Sequence, residues 1–112
     1  DSPIPLCADE SVYPGKEVEE LAEIYQVINL KLDKSGGLSE LLRQLKQCRE
    51  LGLGVMVGCM VSSSMAIAPA FYAGQLAEYA DLDGFLHLRQ DRQNGLMVED
   101  GMISLEPGFW GN

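Results

Sequence analysis

An α/β fold built on a parallel sheet is what this sequence predicts, and three observations predict it. Short apolar runs alternate with amphipathic or capped stretches in the order β-α-β-α-β-α-β, at a period of roughly 25 residues. The apolar runs lack strict polar alternation, as strands do when both faces of a parallel sheet are covered. Polar side chains gather where each apolar run ends, which is where sites form in such folds.

The first strand is expected in "IPLCADE" (4–10), a short apolar run ending in two carboxylates. "EVEELAEIYQ" (17–26) spaces Val18, Leu21, Ala22 and Tyr25 as i, i+3, i+4, i+7, the pattern of an amphipathic helix. "VINLKL" (27–32) reads as the second strand, with Lys31 set between two leucines. "LSELLRQLKQCRELG" (38–52) puts Leu38, Leu41, Leu42, Leu45, Cys48 and Leu51 on one helical face, and Gly52 ends it. "GVMVGCMV" (54–61) is an uncharged third strand. Three serines, 62–64, can cap the helix expected over 65–80, where Pro69 marks a kink or a late start. "LDGFLHL" (82–88) reads as the fourth strand. The division is then 1–88, four parallel strands and three helices, and 89–112, a tail in which "MVEDGMISL" forms a hairpin turning at Asp100-Gly101.

Composition narrows the function classes. The chain has 112 residues, 46% apolar, so it is one domain or a piece of one rather than a disordered segment. Its net charge of −9 (8 basic, 17 acidic) has the wrong sign for a nucleic-acid partner. An acidic chain can still hold a divalent cation or an ammonium group. Cys7, Cys48 and Cys59 fit no zinc spacing, and all three are expected as small buried hydrophobes in a reducing cytoplasm. No apolar run approaches the roughly 18 residues of a membrane span, and no signal-like segment opens the chain. Because it begins on Asp1 rather than Met, its start is expected to be trimmed or internal.

Reading only the strand ends gives Asp9 and Glu10, Lys31 and Asp33, Gly58 to Ser62, and Asp81 and Asp83. Each alone has an ordinary explanation. A carboxylate after a strand is commonly a cap or loop residue, and a strand lysine commonly snorkels at an edge. Convergence of all four clusters on one rim is what makes them a candidate site. Lys34 is expected to be solvated, and Asp33 to be either a loop cap or a partner that orients Lys31.

"PLCADES", "VINLKLDKSGG", "VMVGCMVSSS" and "DLDG", in this order and spacing, resemble the C-terminal half of the barrel of enolase-superfamily enzymes. The likeness is greatest to dipeptide (L-Ala-D/L-Glu type) epimerases of the muconate-lactonizing subgroup. It implies half of a (β/α)7β TIM-type barrel, the four strands matching the fifth to eighth. By the same resemblance Asp9 matches the last of three Mg²⁺ carboxylates, and Lys31 the second of two lysines flanking the substrate's α-carbon. Asp81 and Asp83 match the pair that receives a dipeptide's ammonium group. Gly58, Cys59 and Met60 line the pocket near the substrate's other end.

The implied chemistry suits these residue types. Epimerisation next to a carboxylate removes a weakly acidic proton and stabilises an enediolate, a task that pairs a lysine base with Mg²⁺. Mg²⁺ takes hard oxygen ligands such as Asp9. A partly desolvated lysine near the metal is expected to have its charged form disfavoured.

The resemblance also exposes what is absent from these 112 residues. A complete barrel runs to about 250 residues, and the other two metal carboxylates and the first lysine have no counterpart here. His87 and "RQDRQNG" (89–95) also depart from the family pattern. The chain by itself is therefore not expected to be active. It should need the N-terminal half of the barrel or a second copy of itself to cover its edges. The alternatives are a non-catalytic half-barrel that oligomerises, and a cycloisomerase or dehydratase of the same superfamily; paired aspartates in "DLDG" argue against the last.

Overall fold

The structure is a computed structural model and describes residues 2–14 and 16–111. Four strands, β1 (Cys7–Ala8), β2 (Val27–Lys31), β3 (Gly54–Gly58) and β4 (Tyr79–Asp81), form one parallel sheet in that spatial order. Helices α1 (Val18–Ala22), α2 (Leu32–Ser35), α3 (Leu38–Glu50) and α4 (Ser64–Gly74) lie between them. A 3-10 turn (Gly84–His87) follows β4, and β5 (Leu96–Glu99) and β6 (Met102–Leu105) make a separate antiparallel hairpin.

The two faces of the sheet differ in chemistry. Ile28, Leu30, Val55 and Val57 are fully buried against Leu41, Leu45 and Cys48 of α3 and Ile67 and Ala68 of α4. This layer is the core. The opposite face carries Val27, Asn29 and Lys31 from β2, Met56 and Gly58 from β3, and Tyr79 and Asp81 from β4, in register across the sheet. Residues two apart on a strand share a face, so the polar residues near the carboxyl end fall side by side by necessity.

The "KSGG" segment is resolved in conformational terms. After Lys31 the chain turns through α2, where the Ser35 hydroxyl donates to the Lys31 carbonyl at 2.9 Å. Gly36 and Gly37 then adopt φ of 84° and 132°, left-handed values that side chains resist. That reversal lets α3 begin at once.

Several expectations need correction. The apolar run 4–10 yields only a two-residue strand, with Ile4 and Leu6 exposed, because β1 is an edge with a neighbour on one side only. The helix expected over 65–80 ends at Gly74, and its last residues form β4. Pro69 sits inside α4 and does not delay its start; Ser63 caps it by accepting from the Ala66 amide. No strand covers 82–88. Leu82 and Phe85 are buried while Leu86 is exposed, an i, i+3 spacing that suits the 3-10 turn observed there. Of the three cysteines only Cys48 is buried; Cys7, on the open face of the edge strand, is exposed, and Cys59 is intermediate.

The hairpin matches its expected turn. Asp100 and Gly101 both take positive φ, 49° and 76°, as a two-residue turn of this hand requires. Asp91 anchors the tail to α4: its carboxylate accepts from the Ser64 amide and from the Ser64 hydroxyl, and that hydroxyl accepts from the Leu96 amide. Arg92 lies over the Phe109 ring at 4.7 Å, and the Trp110 indole donates to the Tyr72 hydroxyl.

Candidate functional site

Lys31 is the last residue of β2, and its side chain leaves the sheet on the uncovered face. It is only 8% exposed, and its Nζ lies 2.8 Å from Asp9 Oδ1. Asp9 follows β1 directly and is 45% exposed. The contact is an ion pair rather than an aligned hydrogen bond, since Asp9 Oδ1 is buried without a donor in bonding geometry. Its effect on Lys31 is clear in sign. The short contact to Asp9 raises the lysine's pKa above its ordinary value, burial opposes this, and the charges on Asp9, Glu10 and Asp81 add to the rise. The carboxylate beside the amine is what favours its charged form; the expected lowering belongs to a bound metal ion.

Lys34 is not solvated. The α2 turn swings it back over the rim, where Nζ sits 3.7 Å from Asp9 Oδ1 and 3.3 Å from Glu10 Oε2. Asp33 points elsewhere and is exposed; its charge bears on Cys59, so the partner of Lys31 is Asp9.

The other half of the rim comes from β3 and β4. Lys31, Gly58 and Asp81 are register partners across three strands, which places Asp81 two strands from the amine at the same height. Asp83 lies just beyond, as the residue before the 3-10 turn. Gly84 explains how these segments lock together. A Cβ at Gly84 would overlap the Met60 carbonyl oxygen and lie 2.9 Å from Cys59 Sγ, so "GCM" and "DLDG" approach backbone to backbone. Cys59 is held among Asp81, Asp83 and Asp33; burial first and then these carboxylates push its thiol up, against a lowering bond from the Gly84 backbone. Met60 is exposed beside it.

Gly58 also makes room for a neighbour. A Cβ there would meet Asn29 Oδ1 at 2.6 Å and Nδ2 at 3.0 Å, so its bareness seats the Asn29 amide. Asn29 is 4% exposed and its Oδ1 has no hydrogen-bond partner. The sequence showed it only as a polar residue two positions before Lys31, on the same face.

These residues alone do not make a Mg²⁺ site. Among the described residues no three His, Cys, Asp or Glu side chains gather to hold a metal ion. Asp9 offers one carboxylate, whose buried Oδ1 already faces two ammonium groups. Among the described residues, too, no helix is long and apolar enough to cross a membrane.

Comparison with known proteins agrees with this geometry. The family described as Enolase C-terminal domain-like matches residues 1–109. N-acetyl-D-glutamate racemase of a Pseudoalteromonas species is 44% identical over 98% of this chain and 35% of its own length. L-Ala-D/L-Glu epimerase of Escherichia coli is 38% identical over 92% of this chain and 32% of its own. An enolase-family protein from Agrobacterium tumefaciens with homology to dipeptide epimerases, solved with sodium and L-Ala-L-Glu, superposes with a TM-score of 0.86 at 43% identity. That match covers 96% of this chain and 32% of the other. Dipeptide epimerase from Methylococcus capsulatus, solved with Mg and L-Arg-D-Lys, gives 0.77 at 34% identity, over 92% and 32%. The chain thus spans about a third of the length of the relatives it matches. A four-stranded parallel sheet covering a third of barrel enzymes is a half-barrel, and these relatives are racemases and epimerases. The chain belongs to the enolase C-terminal domain-like family.

Proposed function

We propose that this chain is the C-terminal half-barrel of an epimerase that moves the proton on a carbon next to a carboxylate, with Lys31 as one of its two proton-carrying groups. The observation that carries this is the inward Lys31 amine, level with Asp81 on the uncovered face and paired to Asp9. The Lys31 amine, held at the rim against Asp9, is placed to deliver a proton to the α-carbon as its ammonium, and the reverse direction uses its neutral form. Epimerisation needs a second base on the other face, which these 112 residues do not supply.

Asp81 and Asp83, on the rim beside Cys59 and Met60, would receive a free ammonium group, and Gly58, Cys59 and Met60 would form the adjoining wall. Mg²⁺, where present, would neutralise charge growing on the substrate carboxylate, with Asp9 as one of several oxygen ligands, the rest lying outside this chain. The three free thiols support a reducing compartment such as the cytoplasm.

The uncovered face needs a partner. Below the rim, Pro5, Cys7, Val27, Met56 and Tyr79 line an open apolar cavity of about 260 Å³. The first half of a barrel would cover it, and so would a second copy of this chain joined edge to edge.

A second reading concerns the substrate. The 44% identity to a racemase of N-acetyl-D-glutamate makes an N-acylated amino acid the second candidate, beside the free-amine dipeptide bound by the 43% identical structure. Both readings share the proton chemistry and differ at Asp81 and Asp83.

The test joins this chain to the N-terminal half of the Escherichia coli relative and follows α-proton exchange into deuterated water with Mg²⁺, on L-Ala-L-Glu and on N-acetylglutamate. Exchange by the joined protein and none by the chain alone is expected. Exchange by neither, from a folded protein, would remove the epimerase reading; exchange by the chain alone would point to a working homo-oligomer.

A further inference from the structure

Asn29 is a buried polar residue that the proposed chemistry leaves unused, although it sits in the same layer as the site. It is 4% exposed, and its amide leans over Gly58, the register partner of Lys31 and Asp81. The amide therefore reaches toward β3 into the layer of the Lys31 backbone, one layer above its own, while the amine is held toward Asp9 after β1. The seat exists only because residue 58 lacks a Cβ.

Donors and acceptors are out of balance here. Asn29 Oδ1 is buried and accepts nothing. The Lys31 ammonium carries three hydrogens, and among the described residues its single ion-pair contact is Asp9. An apolar side chain of the same size would fill the space over Gly58 without an unsatisfied carbonyl, so space-filling does not account for an asparagine. What the amide adds is an acceptor without charge, on the same strand face and two residues from the amine.

We propose that Asn29 is a positioning residue for Lys31. Its Oδ1 takes a hydrogen from the ammonium and holds it at the rim whenever Asp9 turns to another cation. Asp9 then has two arrangements, on Lys31 or away from it, and the lysine keeps its aim in both. Gly58 serves the same purpose indirectly, by leaving the amide its seat. This rests on the functional reading for its consequence in catalysis, but the placement of the amine can be tested without any activity.

The test is crystallographic, on this chain. In Asp9→Asn, which keeps the size and removes the charge, Lys31 Nζ is expected within about 2.7–3.2 Å of Asn29 Oδ1. In Asp9→Asn combined with Asn29→Leu, the amine is expected to leave the rim for solvent or Asp81. An amine that stays in place in both variants, or that leaves Asn29 in the first, overturns the proposal; should the double variant not fold, the single variant decides. In the joined enzyme, Asn29→Leu should lower kcat by about tenfold with KM nearly unchanged, and full kcat would count against it. Absence of exchange in the unmutated joined enzyme would strike the epimerase reading and leave the crystallographic result to stand by itself.

Discussion

Lys31 Nζ lies 2.8 Å from Asp9 Oδ1, and this one contact ties the carboxyl ends of β1 and β2 together. It joins an almost buried amine to a half-exposed carboxylate. Because the folded-state pKa of Lys31 is raised, the stabilisation it gives is full below the ordinary lysine value of 10.5 and is lost as pH climbs through the higher folded value. Urea unfolding of the wild type and of Lys31→Met should therefore differ by about 1 kcal/mol near neutral pH. On the alkaline side the difference should shrink above the ordinary lysine range. Equal stability of the two proteins near neutral pH would contradict the pair.

The Gly84 contact makes a sharper demand. Gly84→Ala pushes a methyl group into the Met60 carbonyl oxygen and Cys59 Sγ, and a backbone oxygen cannot step aside cheaply. A loss of about 1–3 kcal/mol is expected, as for overpacked cores, read from a chemical denaturation curve. Wild-type stability in this variant would mean that "GCM" and "DLDG" do not meet.

Asp91 gives the tail a pH dependence of opposite sign. Burial raises its pKa, but its bonds from Ser64 and Arg92 outweigh this and hold it below the usual 3.8. The stability it supplies is present above that value and lost as pH falls through the lower folded one. Trp110, the only tryptophan, donates to Tyr72 on α4 and reports docking of the tail. Its fluorescence should hold steady down to about pH 4 and change below it, and Asp91→Ala should show the changed signal already at neutral pH. An identical spectrum in that variant would show that the tail docks without Asp91.

Thiol reactivity separates the cysteines. Burial pushes Cys48 up to about 11, and its side chain has no access to solvent. With a coloured disulfide reagent at pH 8, Cys7 should react first, Cys59 slowly, and Cys48 only on unfolding. Three equivalents released at one rate from the native chain would be at odds with this packing.

Much of the frame was legible from residue order alone. The apolar runs around Ile28 and Val55 read as neighbouring strands of a parallel sheet, and the stripe from Leu41 to Cys48 as a helix facing them; that one face of the sheet lies open is not legible there. What failed did so for local reasons. "LDGFLHL" is a short apolar run, in which strand and helical turn look alike until Leu82 and Phe85 are seen buried together with Leu86 exposed. The tail of the third long helix concealed β4 because "AEYA" carries no breaker. Lys34 reads as solvated because a return of the chain through α2 has no signature beyond the two glycines that follow it. Asn29 shared a parity with Lys31, but nothing in the sequence ties it to Gly58, twenty-nine residues on.

The two substrate readings separate at one residue. In the joined enzyme, Asp83→Asn should raise KM for a free-amine dipeptide by about tenfold and leave an N-acylated amino acid nearly unaffected. Equal losses on both would remove the ammonium role from the Asp81–Asp83 pair.

The central claim is that the Lys31 amine, aimed into the uncovered face, exchanges a proton with the substrate's α-carbon. Lys31→Ala in the joined enzyme tests it by NMR-detected deuterium incorporation at that carbon. The account predicts that epimerisation stops and exchange on the face served by Lys31 falls by at least about a hundredfold, with the fold intact by circular dichroism. Epimerisation at the wild-type rate in the folded variant would contradict it.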